Sequence, residues 1–323
     1  MKAPDFWARK GLAAWVLAPF GLIYGLGTAL RVRRQPRYTP PVPVICIGNI
    51  IAGGAGKTPV VRDLTERLRA RGLNAKVLSK GYGGAFAGPV RIEPETHQTN
   101  DAGDEALMLA KYVPVWVAKD RVQGARAMVG LGEAEVIIMD DGHQDPDLAK
   151  TASLVVVDAG FGFGNGFMIP AGPLRETARA GLGRAKAIIR LGEGPFQPPD
   201  WYDGTVLQGR ILAEPAPDLD EAQVFALSGI GRPQKFRETL AGLGAIVVGH
   251  RDFPDHHAYT VEEIEGVIAE AQALNARLVT TEKDAMRIPE RFHPFIRVLT
   301  ITLSWDDEAA LDAMLDAILN PDD

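Results

Sequence analysis

Gly53-Gly54-Ala55-Gly56-Lys57-Thr58 follows the apolar run Val44–Ile47 and immediately precedes a helical pattern. Small side chains there let backbone N–H groups converge on an anion, and the following helix adds the positive end of its dipole. In such a loop Lys57 reaches the β- and γ-phosphates of a nucleotide, ATP for a phosphoryl donor, and the Thr58 hydroxyl binds Mg2+. The usual pattern wants glycine five residues before Gly56, where Ile51 stands, so this is a GGxGKT variant. A second apolar run, Val136–Met139, delivers Asp140 and Asp141. Paired acids at a strand end are placed to hold the metal of a bound nucleotide. Asp140 is the first choice, directly or through water, with Asp141 close behind.

Moving a phosphoryl group to an alcohol also needs a base for the hydroxyl proton and cations for the developing charge. Two segments offer the base: Gly103-Asp104-Glu105, at the start of a predicted helix, and Phe253-Pro254-Asp255-His256-His257, in a loop before Thr260. An aspartate from the first and a histidine from the second could form a dyad. Two further glycine-rich stretches, 79–84 and 160–166, follow predicted strands, where open α/β sheets place ligands. The second leads to Arg175, which could grip a phosphate. The 160–166 stretch lacks dinucleotide spacing.

These residues need a scaffold that gathers strand ends. Strands over Val44–Ile47, Ala75–Leu78, Val113–Ala118, Val136–Met139 and Leu154–Val157 alternate with helices over Val60–Arg71, Ala102–Lys111 and Asp120–Leu131. That alternation predicts a doubly wound α/β sheet. The stretch 193–222 is proline-rich and acidic and reads as a linker. Beyond it the alternation resumes on a smaller scale. Strands are predicted at Val224–Leu227, Ala245–Val248, Arg277–Thr281 and Val298–Thr302, with helices at Pro233–Leu243, from Thr260 (a capping box with Glu263) and at Asp307–Leu319. The expected division is 1–38, a hydrophobic helix and basic arm; 39–210, a P-loop domain; and 211–323, a smaller α/β domain.

The chain has 323 residues, 35 Lys and Arg against 41 Asp and Glu, and a net charge of −6. The first 40 residues carry seven of those cations and a single anion, Asp5, so the body is more acidic than the total suggests. An acidic body argues against nucleic acid as partner. A basic arm instead suits a membrane surface. Between Lys10 and Arg31 lie twenty uncharged residues, diluted by Pro19 and four glycines. A monotopic or shallowly embedded helix suits that dilution best; a true span and a soluble core helix are the other readings. Either membrane reading sets Arg31, Arg33, Arg34 and Arg37 against anionic head groups. The lone Cys46 excludes an internal disulfide and reads as a buried strand thiol.

The blocks VPVICIGNIIAGGAGKTP, LSKGYGG, AGDEALMLA, VIIMDDGHQ, GNGFMIPAGPLRE, LSGIGRPQKF, FPDHHAYT and VTTEKDAMR run in order from about residue 42 to residue 287. Together they resemble the tetraacyldisaccharide 4′-kinases of lipid A biosynthesis. The resemblance implies a P-loop domain joined to a smaller α/β domain, and transfer of the γ-phosphate of ATP to the 4′-hydroxyl of a tetraacylated disaccharide 1-phosphate. It sets the reaction at the cytoplasmic face of the bacterial inner membrane, with the chain peripheral or monotopic; no obligate protein partner is inferred from the sequence. It carries the aspartate–histidine base onto Asp104 and His256, with Asp101 as the neighbouring alternative. Arg175 would contact phosphate or substrate, and Gln144 would lie near the nucleotide or metal. Three positions depart from the family pattern: Lys80, Ala106 and Asp145 stand where Arg, Pro and His are common. The alternative reading is a membrane-targeted regulatory P-loop ATPase, which would use water as nucleophile and need no dyad.

Overall fold

The structure, a computed structural model, describes residues 4–255 and 257–320. After a short 3-10 turn at Asp5–Trp7, helix α1 (Leu12–Val32) leads into a region of alternating strands and helices. These are β1 (Val44–Gly48), α2 (Lys57–Ala70), β2 (Ala75–Ser79), β3 (Val90–Arg91), α3 (Thr99–Ala102), α4 (Asp104–Ala110), β4 (Val115–Val117), α5 (Arg121–Gly130), β5 (Val136–Asp140), β6 (Ala152–Asp158), α6 (Ala178–Leu182), β7 (Ala187–Leu191) and β8 (Thr205–Ala213). A smaller unit follows: β9 (Gln223–Ser228), α7 (Pro233–Gly242), β10 (Ile246–Asp252), α8 (Val261–Ala273), β11 (Arg277–Thr281), α9 (Glu282–Ala285) and β12 (Ile296–Leu299). The chain ends in β13 (Ile301–Trp305) and α10 (Glu308–Leu319).

The large sheet has nine strands in the order β13-β8-β7-β6-β1-β5-β2-β4-β3. Its central strands β1, β5 and β6 are buried along their whole length, because VICIG, VIIMD and ASLVVVD offer apolar side chains to both faces. On one face α2 contributes Val60, Leu64 and Leu68, joined by Leu311 and Leu315 of α10. On the other, α5 contributes Ala125 and Met128. Strand order diverges beside β1, with β5 and β2 to one side and β6 and β7 to the other. That switch point is where doubly wound sheets leave a crevice at the carboxyl ends of their strands. Register pairs Ile47 with Asp140, so the loop after β1 and the acid pair after β5 emerge side by side.

The four-stranded sheet, β10-β9-β11-β12, is parallel throughout. Two sequence expectations change here. Val298–Thr302, read as one strand, is two: β12 ends in the small sheet at Leu299, and β13 begins in the large one at Ile301, antiparallel to β8. Residues 205–213, read as linker, are β8, parallel to β7. The last strand and helix therefore return to the large unit, and residues 211–323 do not form one separate body. The two crossings touch, Glu214 N donating to Thr300 O at 2.9 Å. A single residue between two short apolar runs carries no local signal that they part.

Helix α1 forms over the uncharged segment. Its small residues Ala14, Gly21, Gly25 and Thr28 are buried, while Leu12, Val16, Ile23, Leu26 and Leu30 are exposed. A β-carbon on Gly21 would lie 2.8 Å from the backbone oxygen of Met168, so glycine is what lets the helix sit on the 163–174 loop. Trp15 packs edge-on against Phe167, and the Trp7 indole N–H donates to Pro170 O at 3.0 Å. Arg37 does not stand free for head groups: it pairs with Asp120 at 3.0 Å and Asp147 at 3.1 Å, because the segment after α1 docks on the body.

Candidate active site

Helix α2 opens at Gly56, in the left-handed region at φ 81°, with no side-chain cap. Its first N–H groups are left for an incoming anion. Gly53, at φ 115°, has open space where a β-carbon would stand, and so does Gly54. Behind this rim Ala55 is buried. Lys57 leads the helix, and its Nζ lies 3.5 Å from Asp141 Oδ1. Ala52 N donates to Pro173 O at 2.7 Å and Arg175 N to Ile50 O at 2.8 Å, which ties the loop to the segment carrying Arg175.

The two acids after β5 differ sharply. Asp140 is buried and accepts from the Ser79 hydroxyl at 3.1 Å. Burial, then the charges of Asp141 and Glu105, push its carboxyl up to about 6. Asp141 takes a left-handed backbone at φ 48°, unusual for a non-glycine residue, and faces two cations. Burial pushes its pKa up, but Lys57 and Arg175 outweigh that and hold it below the usual carboxylate range. Arg175 Nη1 reaches Asp141 at 3.0 Å and Gln144 Oε1 at 3.4 Å. The Gln144 amide donates to Asn49 O at 2.8 Å and Glu176 at 2.9 Å, and Glu176 is locked by a two-pronged bond from Arg184.

Lys57, Asp140, Asp141, Gln144 and Arg175 are thus one connected cluster; the motifs pointed to the lysine and the two acids, and the family resemblance to Gln144 and Arg175. The sequence reading missed Ser79, Glu176 and Arg121. Arg121 donates to the backbone oxygens of Asp140 and Asp141 and, at 2.8 Å, to Asp145. Asp120 caps α5, the helix expected over Asp120–Leu131; nothing in the spacing shows Arg121 turning inward. Lys80 and Asp145, two of the three departures from the family pattern, pair with each other at 3.2 Å.

The candidate base lies at the start of α4. Asp104 opens α4 behind Gly103, which takes φ 85°. The Asp104 carboxylate is buried, and Arg287 of the smaller unit approaches it at 3.6 Å. Asp101 is committed elsewhere: it accepts from Gln98 N at 2.9 Å in the capping box of α3. His256 lies outside the described residues. Its neighbour His257 is stacked on Phe253, with centroids 4.7 Å apart, and pairs with Glu263 at 2.8 Å. Lys283 bridges Glu105 at 3.1 Å and Asp255 at 3.3 Å. On the opposite flank Arg232 and Lys235 both reach Asp158 at 2.8 Å. Between these bridges the two units enclose a cleft of about 390 Å³, with Gly56, Thr58 and Arg62 on one wall and Phe236, Lys283 and Leu299 on the other.

Residues 13–320 match the family described as tetraacyldisaccharide-1-P 4′-kinase. The chain belongs to that family. The tetraacyldisaccharide 4′-kinase of Rhodospirillum centenum is 46% identical over 100% of this chain and 98% of its own, and that of Rhodospirillum rubrum is 45% identical over 99% and 98%. A solved structure of the kinase LpxK from Aquifex aeolicus, in complex with ATP, superposes with a TM-score of 0.78 at 25% identity, covering 95% of this chain and all of that one. The tetraacyldisaccharide 4′-kinase fold is therefore the fold of this chain, with its apolar N-terminal helix included.

Proposed function

We propose that this chain uses ATP to phosphorylate the 4′-hydroxyl of a tetraacylated disaccharide 1-phosphate, at the cytoplasmic face of a bacterial inner membrane. The observation that carries this reading is the paired arrangement along one sheet edge. The phosphate loop follows β1, the acid pair ends β5, and the buried carboxylate of Asp104, next to the Glu105 whose charge reaches Asp140, is met by Arg287 of the smaller unit. A regulatory ATPase has no use for an acceptor-side carboxylate assembled across two units.

In the reaction the loop N–H groups of Gly53, Gly54, Ala55 and Gly56, together with Lys57, hold the terminal phosphates. The apolar walls Leu191, Ile211 and Phe236 suit a purine base. Asp104, working with His256, takes the proton as the 4′-oxygen attacks the γ-phosphorus. The bond from that phosphorus to the β-bridging oxygen breaks, and ADP leaves. Arg175 and Gln144 orient Asp141 and face the charge that develops on the transferred group. Thr58, Asp140 and Asp141 are the oxygen donors that would hold Mg2+. Their fit rests on the donor chemistry of the acid pair: burial first, then the charges of Asp141 and Glu105, push the Asp140 carboxyl up to about 6, and a divalent cation beside Asp140 and the half-exposed Asp141 would offset both effects. Once bound, the metal neutralises charge on the β- and γ-phosphates.

The acceptor is a lipid, and the exposed apolar face of α1, followed by Arg31, Arg33 and Arg34, suits a helix lying in a membrane interface. The test is γ-labelled ATP with purified protein and the tetraacyl disaccharide 1-phosphate in detergent. Label is expected in the lipid, with Lys57→Ala lowering transfer by about 10²-fold or more. Label released only as free phosphate would instead favour the ATPase.

A further inference from the structure

Arg287, just after α9 in the smaller unit, is an arginine with almost no exposure, its side chain 7% accessible. Its Nη2 donates to Asp284 Oδ1 at 2.8 Å and to Gly229 O at 3.2 Å, and its Nε to Lys283 O at 3.3 Å. Its Nη1 donates at 3.2 Å to the backbone oxygen of His257, in the loop before α8. Asp284 is itself fixed. It is fully buried and also accepts from the Tyr259 hydroxyl at 2.8 Å, Gly229 N at 2.9 Å and the Thr281 hydroxyl at 2.6 Å. The guanidinium is therefore clamped by its own unit, and the carboxylate of Asp104 in the large unit lies 3.6 Å from Nε.

A bridge that merely joined two surfaces would need none of this, since exposed ion pairs hold surfaces together weakly and with mobile side chains. A cation desolvated and locked in orientation instead sets the direction of the anion it meets. We propose that Arg287 is a positioning residue for phosphoryl transfer, aiming the Asp104 carboxylate at the acceptor hydroxyl and registering it against the His257 backbone of the smaller unit. This rests on the reading of Asp104 as part of the base. Lys283 makes a parallel bridge, from Glu105 to Asp255 of that same loop, so the two cations span the crevice at neighbouring points.

A cation beside a carboxylate favours its ionised form, so removing Arg287 moves the acid limb of the kcat–pH profile to higher pH. The test is a double-mutant cycle in the full chain with lipid acceptor and ATP, comparing Arg287→Met, Asp104→Asn and the pair. Arg287→Met is expected to lower kcat by about 10- to 100-fold with KM for ATP nearly unchanged, and to cost less than about 3-fold when Asp104 is already Asn. Should Arg287→Met fail to fold, Arg287→Lys keeps a charge for Asp284. One ammonium cannot serve Asp284, the His257 carbonyl and Asp104 together, so the same coupling and the same direction of pH shift are expected. An equal loss in both backgrounds, or an unmoved acid limb, overturns the proposal. Full kcat in Asp104→Asn overturns the base assignment itself, so the two failures read differently.

Discussion

Asp145 meets Arg121 at 2.8 Å and Lys80 at 3.2 Å, although in sequence it is only the residue after a glutamine of the acid-pair run. Burial pushes its pKa up, yet Arg121 and Lys80 outweigh that and hold it at about 2. A carboxyl whose folded pKa is depressed contributes stability that is present above its unfolded value, about 3.9, and is lost as pH falls through the folded one. Asp145→Asn is therefore expected to cost about 2 kcal/mol at neutral pH and about half that at pH 3, in urea melts of both proteins. A gap that does not narrow at low pH would show that packing, not charge, makes the difference. At this scale the loop 53–58 and the acids 140 and 141 were legible because phosphate chemistry demands residue types at fixed spacing. Ser79, Arg121 and Arg287 were not, because nothing in a local string shows which way one arginine or serine points.

Helix α1 illustrates the scale of the element. Its length and lack of charge are plain in sequence, but which face is covered is not, since apolar and small residues surround the helix. The loop at 163–174 selects the face with Gly21 and Gly25; Pro173 of that loop accepts from Ala52, and Arg175 just after it donates to Ile50, both beside the phosphate loop. Gly21→Leu strikes the backbone of Met168 and should lower stability by about 1–3 kcal/mol. Gly27, with open space where a β-carbon would stand, is the control. Gly27→Leu should be neutral or gain up to about 1 kcal/mol from helix propensity. Thermal melts of the two variants decide it, and equal melting temperatures would mean that the helix is not seated on this loop. Elsewhere elements were read well where caps mark them: Thr260 and Glu263 form both halves of their predicted box, with bonds of 3.2 and 2.9 Å.

At the scale of the whole molecule, two units meet along a cleft with an ionic bridge on each flank. Asp158, at the end of β6, uses Oδ1 to cap Gly160 N and Phe161 N, while Oδ2 takes Arg232 and Lys235 from the segment that opens α7. Asp158→Asn keeps the turn acceptor and weakens the ionic bridge. Amide protection in α7 should then fall about tenfold, with the central strands of the large sheet unaffected. Unchanged exchange in α7 would mean that the Asp158 bridge does not hold α7 in place and that the opposite flank and the 214 and 300 crossings set how the units sit.

Sequence by itself determined the chemistry and the fold class: a glycine loop before a helix, acids at a strand end, and apolar runs alternating with helices. Those features are local, so spacing alone reveals them, and the ordered motifs point to the kinase family. Tertiary structure decided what depends on distant partners. It set β8 and β13 beside each other, sent α10 back onto α2, committed Asp101 to a cap, and brought Arg287 to Asp104. Pairing across such long stretches of chain leaves no trace in either local string, because the free energy that selects it arises only when both surfaces are buried together.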